Sequence, residues 1–384
     1  MKALAPELID SIVCGLDVPS LKACSLAGSL ARAPCQRILL RSLSVRVADG
    51  PLRYQPSRPV NHIAARDLLI QSPHVAHYIT HLKVQFLSVT VDTAAADILE
   101  ELLAKLSSVR YCTLRAGDTV NSGSFNWADI LPATFTDFLS HQQLEKLWVD
   151  RIAAIPLPIF SQMLGATRFL SMIYVSLDAL EDHTRSITLY QPRIETLLLN
   201  SKCDRVAEQL CCPPFRSYMT ILRHLSVVVW ASDDLHGPFL SSLPRTLRSI
   251  RFSFKVLYTT PRLILPNLSL PEVVTAEFAL PLGKIRPGYM NPIVSFLAPG
   301  VAPVLGDIII ANRYSICMNW IFPPSELAAL DSALEAHPGS PRVRLRVAFF
   351  QDEALQKFLS CTQAGMPRAH QAGRLFIEQE RFPH

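Results

Sequence analysis

Apolar and polar positions along the chain follow two periods. Near the start, Leu8, Ile9, Ile12, Val13 and Leu16 recur at helical spacing, which predicts a short amphipathic helix. Pro6 suits its first turn, where a missing N–H costs nothing. Glu7 stands where the helix dipole favours a negative charge. Asp17-Val18-Pro19-Ser20 ends that helix and starts another, with Asp17 or Ser20 as its cap. Leu21, Cys24 and Leu26 continue the apolar face, and residues 35–43 (CQRILLRSL) form a third amphipathic piece. Three short helices in about forty residues bury little alone. They are expected to dock on the rest of the chain, on another protein, or on both.

Beyond residue 45 one pattern returns: apolar-x-x-apolar-x-apolar. It begins at Leu40, Ile79, Val109, Leu144, Leu170, Ile194, Leu222, Leu247 and Leu305, with weaker copies at Val273 and Ser340. From Ile79 the starts lie 24 to 35 residues apart, around the roughly 20–29-residue pitch of leucine-rich repeats. The spaced apolar residues alternate as a half-buried strand requires. The intervening residues 95–107, 132–143, 156–166 and 323–338 read as helices, several opening on Pro. One strand and one helix per unit, stacked, give an α/β arc with a shared core. The Asn of the longer repeat consensus is mostly missing, with Asn200 and Asn312 as remnants. The expected organisation is a helical module at 1–45, a linker or first irregular repeat at 46–78, repeats over 79–350, and a C-terminal cap and tail at 351–384. Residues 49–62 (DGPLRYQPSRPVNH) read as the hinge. The tail reads as one helix (DEALQKFLSC) followed by a looser end.

Residues 4–45 (LAPELIDSIVCGLDVPSLKACSLAGSLARAPCQRILLRSLSV) resemble an F-box-like module of the large fungal F-box/leucine-rich-repeat-like set. Leu4, Pro6, Glu7, Leu8, Ile9, Ile12, Leu16, Leu21, Cys24, Ser25 and Leu26 stand where the family pattern asks for them. Ala5 separates the opening Leu and Pro. The usual Trp of the third helix has no counterpart; only Leu30 and Ala31 stand there. The resemblance implies an irregular leucine-rich-repeat-like solenoid behind the module, and a substrate-recognition subunit of an SCF-type ubiquitin ligase. Leu4, Pro6, Leu8, Ile12, Leu16, Leu21 and Leu26 would bury an apolar face on the Skp adaptor, which joins a cullin and a RING protein. Glu7 would act mainly as a cap, and the solenoid would hold a target. The alternative is an interaction scaffold without ubiquitin work, its first helices only capping the repeat stack.

Composition sharpens this picture. Of 384 residues 49% are hydrophobic and only 18% charged, below the usual quarter. Such a chain buries much of itself or relies on a partner to cover apolar surface. The net charge of +5 is mild, and Arg342, Arg344 and Arg346 alternate as one basic strand face, so nucleic-acid binding is not expected. The nine cysteines are odd in number, include no CxxC, and follow no signal-peptide pattern; reduced thiols in cytosol or nucleus are expected. No apolar run reaches the ~18 residues of a membrane helix.

Catalytic chemistry finds little support. His74, His77 and His81 lead into a strand and read as surface or structural histidines rather than a zinc site. Cys211-Cys212-Pro213-Pro214 reads as a loop, and Asp182-His183 and Asp233-Asp234 are isolated. P-loop, GxGxxG, GxSxG and HExxH motifs are all missing. The expectation is no enzyme, cofactor or metal. Strand faces carry more. The position between the last two apolar residues of each repeat should face the open, concave side, which selects Lys83, Trp148, Tyr174 and Arg251, with Asp150 one position further out. Trp148 and Tyr174 would then be neighbours on adjacent strands. Aromatics and Arg dominate interface hot spots, so this patch is expected to hold the target, unless a terminal loop or the tail covers its aromatics.

Overall fold

The computed structural model describes residues 5–47, 60–88, 91–117, 124–130, 135–178, 190–200, 202–229, 236–254, 268–280, 288–312, 322–347 and 352–379. The fold is mixed α/β, with parallel strands following one another in chain order and helices between them. The chain divides into two compact units, Met1–Arg193 and Ile194–His384.

The first unit opens with three helices: α1 (Pro6–Cys14), α2 (Val18–Ala27) and α3 (Ser29–Leu39). Of the two candidate caps for α2, Asp17 takes the role: its Oδ1 accepts the Ser20 N–H at 3.0 Å. Gly28, fully extended, turns the chain between α2 and α3. The helices share a small core of Val13, Leu21 and Cys35, with Ile9, Leu16, Cys24, Ala31, Ile38 and Leu39 packed against it. The module therefore has an interior of its own.

Its last turn runs directly into the strand Ser42–Val47. That strand crosses the expected boundary at 45, because Leu43, Val45 and Val47 alternate into the same core as the strands that follow. Next to it lie His81–Phe86, Tyr111–Ala116, Leu144–Asp150 and Thr167–Ile173, each parallel to its neighbour. The two-residue strand Val60–Asn61 pairs with the outer edge of Ser42–Val47. The hinge expected at 49–62 lies outside the described residues as far as residue 59. From residue 60 onward the chain forms that short strand, the helix His62–Gln71 and a 3-10 turn over Pro73–Tyr78.

Most strands begin two residues after the first apolar residue of the motif. That residue sits buried in the preceding turn, as Ile79 and Val109 do. Each turn is tied to the one before it: Arg110 and Tyr111 both donate to the Thr80 carbonyl, and Glu145 and Lys146 to that of Arg110. Satisfying these backbone groups inside the stack lets the turns be buried at all. The helix Thr93–Lys105 covers the buried face with Ala95, Leu99, Leu102 and Leu103. Its N-terminus is capped by Asp92, which accepts the Ala95 N–H at 2.6 Å. Asp92→Ala is expected to destabilise the unit by about 1 kcal/mol, read from urea unfolding; an unchanged midpoint would mean that the cap is dispensable.

The second unit repeats the scheme with Thr196–Leu199, His224–Val229, Ser249–Phe254, Thr275–Ala279, Asp307–Asn312, Arg342–Val347 and Leu375–Gln379, all parallel in chain order. Its core centres on Phe252, Phe278 and Phe296: the first two stack at 5.4 Å, and Phe296 meets both edge-on. The helix expected at 323–338 spans Pro324–Ala336. Its buried Asp331 accepts the N–H groups of Arg368 and Ala369, which fixes the start of the helix Pro367–Gln371. The chain then adds the edge strand Leu375–Gln379 where a looser end was expected.

Candidate functional site

Two surfaces carry the residues singled out in the sequence. The first is the outside of α1–α3. Leu4 lies outside the described residues, and Pro6 opens α1. Glu7 is exposed in the first turn of α1. Leu8 (54%), Ile12 (56%) and Leu26 (82%) point outward. Leu16 and Leu21 stand differently: Leu16 is half-buried against the module core, and Leu21 is one of its centres and is not open to an adaptor. The apolar side of α1 is wider than its core needs. Ile9 and Val13 turn inward, while Leu8 and Ile12, four apart, form a second stripe. The sequence reading missed Val18 and Leu30, both more than half exposed. Among the described residues thirteen large apolar side chains are exposed, and five of them stand on these 9-, 10- and 11-residue helices. Five exposed large apolar side chains within residues 8–30 are more than the scattered singles of an ordinary surface.

The second surface is the open face of the strands. In the first unit Ser44, Lys83, Thr113, Trp148 and Ser171 form one cross-strand row. Trp148 therefore pairs with Ser171, and the expected Trp148–Tyr174 adjacency is corrected. The motif of that repeat begins at Thr167, whose hydroxyl bonds to the Phe169 carbonyl. A polar residue occupies the apolar slot, so the pattern reads three residues late. Tyr174 lies past the strand at φ +55°, with the Arg151 guanidinium 6.0 Å from its ring. Arg251 belongs to the corresponding row of the second unit, 3.5 Å from the Glu277 carboxylate.

A row the sequence reading passed over lies beside Trp148. His81, Tyr111, Lys146 and Phe169 are cross-strand partners. His81 stacks on Tyr111 at 4.3 Å. The Lys146 ammonium stands 4.2 Å from the Phe169 ring and 4.9 Å from that of Trp148, a geometry that the ring quadrupoles favour. Only the alternation of the strand could have hinted at this pairing. The Tyr111 hydroxyl donates to Glu145, which also pairs with Arg110 at 3.3 Å. The Tyr111 hydrogen bond, followed by the charge of Arg110, holds the Glu145 carboxyl below its usual range against some desolvation, and raises the Tyr111 phenol in turn. Asp150 stands 3.4 Å from Arg115 and 3.8 Å from Arg151, yet burial raises its carboxyl. Where the strands begin, a cleft of about 760 Å3 opens, lined by His77, Arg110, Tyr111, Glu145 and Arg168 among others.

Burial, and then the charge of Arg41, push His81 below its ordinary 6.5. A folded-state value below the unfolded one gives stability that is complete above the unfolded pKa and erodes as pH falls through it toward the folded value. Stability is therefore expected to drop below about pH 6.5, and His81→Gln to flatten that part of the pH profile. An unchanged slope in the variant would remove His81 as its source.

His74 packs edge-on against Tyr78, and Cys211, at the end of a helix, bonds to the Ala207 carbonyl. Asp182, His183, Asp233 and Asp234 lie outside the described residues. Among the described residues no group of three His, Cys, Asp or Glu side chains could hold a metal ion, and no helix is long and apolar enough to cross a membrane. No protein-family model matches the chain, and no curated protein matches it.

Proposed function

We propose that the chain is the substrate-recognition subunit of an SCF-type ubiquitin ligase. It binds the Skp adaptor through α1–α3 and a target protein through the open strand faces of a leucine-rich-repeat-like solenoid, in cytosol or nucleus. The observation that carries this is the outward set of Leu8, Ile12, Val18, Leu26 and Leu30 on a module with its own core, in the stretch that resembles an F-box. Apolar area of this kind is stabilised by burial at ~25 cal/mol per Å2. The chain itself catalyses nothing and needs no cofactor; it raises the effective concentration of target lysines beside a ubiquitin-charged enzyme. Immunoprecipitation of the tagged chain from fungal cells is expected to recover the cullin. A precipitate free of cullin would contradict the proposal.

A second reading has its own support. Only Leu40 and Arg41 separate α3 from the strand Ser42–Val47, and the Arg41 carbonyl accepts the N–H groups of Thr80 and His81. On that reading the helices cap the repeat stack and the chain is a scaffold.

A further inference from the structure

We infer that the open face of the first unit's sheet receives an acidic peptide segment carrying an apolar side chain. The inference rests on the reading of the strand faces as a partner-binding surface; it does not require the adaptor. Three observations carry it.

The negative charges of this face are engaged from within. Glu145 is held by Tyr111 and Arg110, and Asp150 lies between Arg115 and Arg151. Two of the positive charges are not balanced in this way: among the described residues no carboxylate lies within ion-pair distance of Lys83 or Lys146, whereas Arg110, Arg115 and Arg151 answer the two carboxylates. What the face offers a partner is therefore positive.

The central cation is positioned in advance. Lys146 is held over Phe169 and Trp148, so little rotamer freedom is left to lose on binding. Trp148 lies next to Thr113 and Ser171 in the neighbouring row, an aromatic anchor flanked by small side chains for one apolar group.

The same geometry disfavours a nucleic acid. Two unpaired lysines are a small positive site, not the continuous basic stripe that a phosphate backbone would follow. One face of each ring that a base would stack on is already engaged, Tyr111 by His81 and Trp148 and Phe169 by Lys146.

The test uses the full chain and fluorescence anisotropy at low salt. The probes are a fluorescein-labelled Glu- and Ser-rich peptide with one Leu, its Lys-for-Glu counterpart, and a single-stranded oligonucleotide of equal charge. The acidic peptide is expected to bind at least about tenfold tighter than the other two, and to weaken as salt rises. Lys83→Glu with Lys146→Glu should abolish its binding, whereas Arg205→Glu with Arg245→Glu, exposed cations of the second unit, should not. If the charge reversals disturb folding, judged by circular dichroism, Lys83→Gln with Lys146→Gln takes their place and should weaken binding about tenfold. Equal binding of the two peptides, tighter binding of the oligonucleotide, or indifference to the lysine variants would overturn the inference. Peptide binding by a chain that ignores the Skp adaptor would sink the ligase reading and leave this one standing.

Discussion

Leu8→Asp combined with Ile12→Asp is expected to abolish the complex with a Skp adaptor while leaving the unfolding of the chain within about 0.5–1 kcal/mol of wild type. Both side chains are more than half exposed, and the module core is made by Val13, Leu21 and Cys35 instead. Charges added at exposed positions change folding little. In a dry interface two carboxylates lose their hydration without a partner, at a cost of several kcal/mol. Leu21→Asp provides the contrast: at 3% exposure it drives a charge into the module core and is expected to unfold α1–α3. Pull-down with purified adaptor, alongside a thermal melt, reads both outcomes. Undiminished pull-down by the double variant would show that the outward stripe is not the adaptor contact. A large drop in melting temperature would favour the capping role.

Phe278→Ala is expected to be the most damaging single truncation in the second unit, costing about 3–5 kcal/mol. Phe278 is fully buried, stacks on Phe252 and Phe254, and meets Phe296 edge-on. One truncation removes three ring contacts and leaves a cavity that neighbours on one adjacent strand and a helix cannot both close. Phe278→Leu, which keeps most of the volume, should cost clearly less. Urea unfolding of wild type and both variants gives the comparison. Equal losses for Leu and Ala would mean that ring packing is not what holds this core together.

Much of this architecture can be read from period alone. The apolar-x-x-apolar-x-apolar motif marks strands wherever both inward positions are apolar, as Leu82 and Val84 or Leu147 and Val149 are. It slips at Thr167, where a self-satisfied hydroxyl fills the apolar slot, and the slip displaces Tyr174 from the face expected for it. Leu375–Gln379 escaped notice because an edge strand has one neighbour, and its burial does not alternate cleanly. The helical module shows a different limit. Spacing places Leu8, Ile9, Ile12 and Val13 on one broad side of α1, but only packing decides that Ile9 and Val13 go in and Leu8 and Ile12 stay out. Lys146 between two rings was beyond reach for a similar reason, since its partner Phe169 lies on another strand.

The central claim is that the outward apolar face of α1–α3 exists to be covered by an adaptor. Co-expression of the full chain with a Skp adaptor, followed by size-exclusion chromatography with light scattering, tests it most directly. The account predicts a stable one-to-one complex in which hydrogen exchange slows around Leu8, Ile12 and Leu26. A folded, monodisperse chain that elutes apart from the adaptor would contradict it.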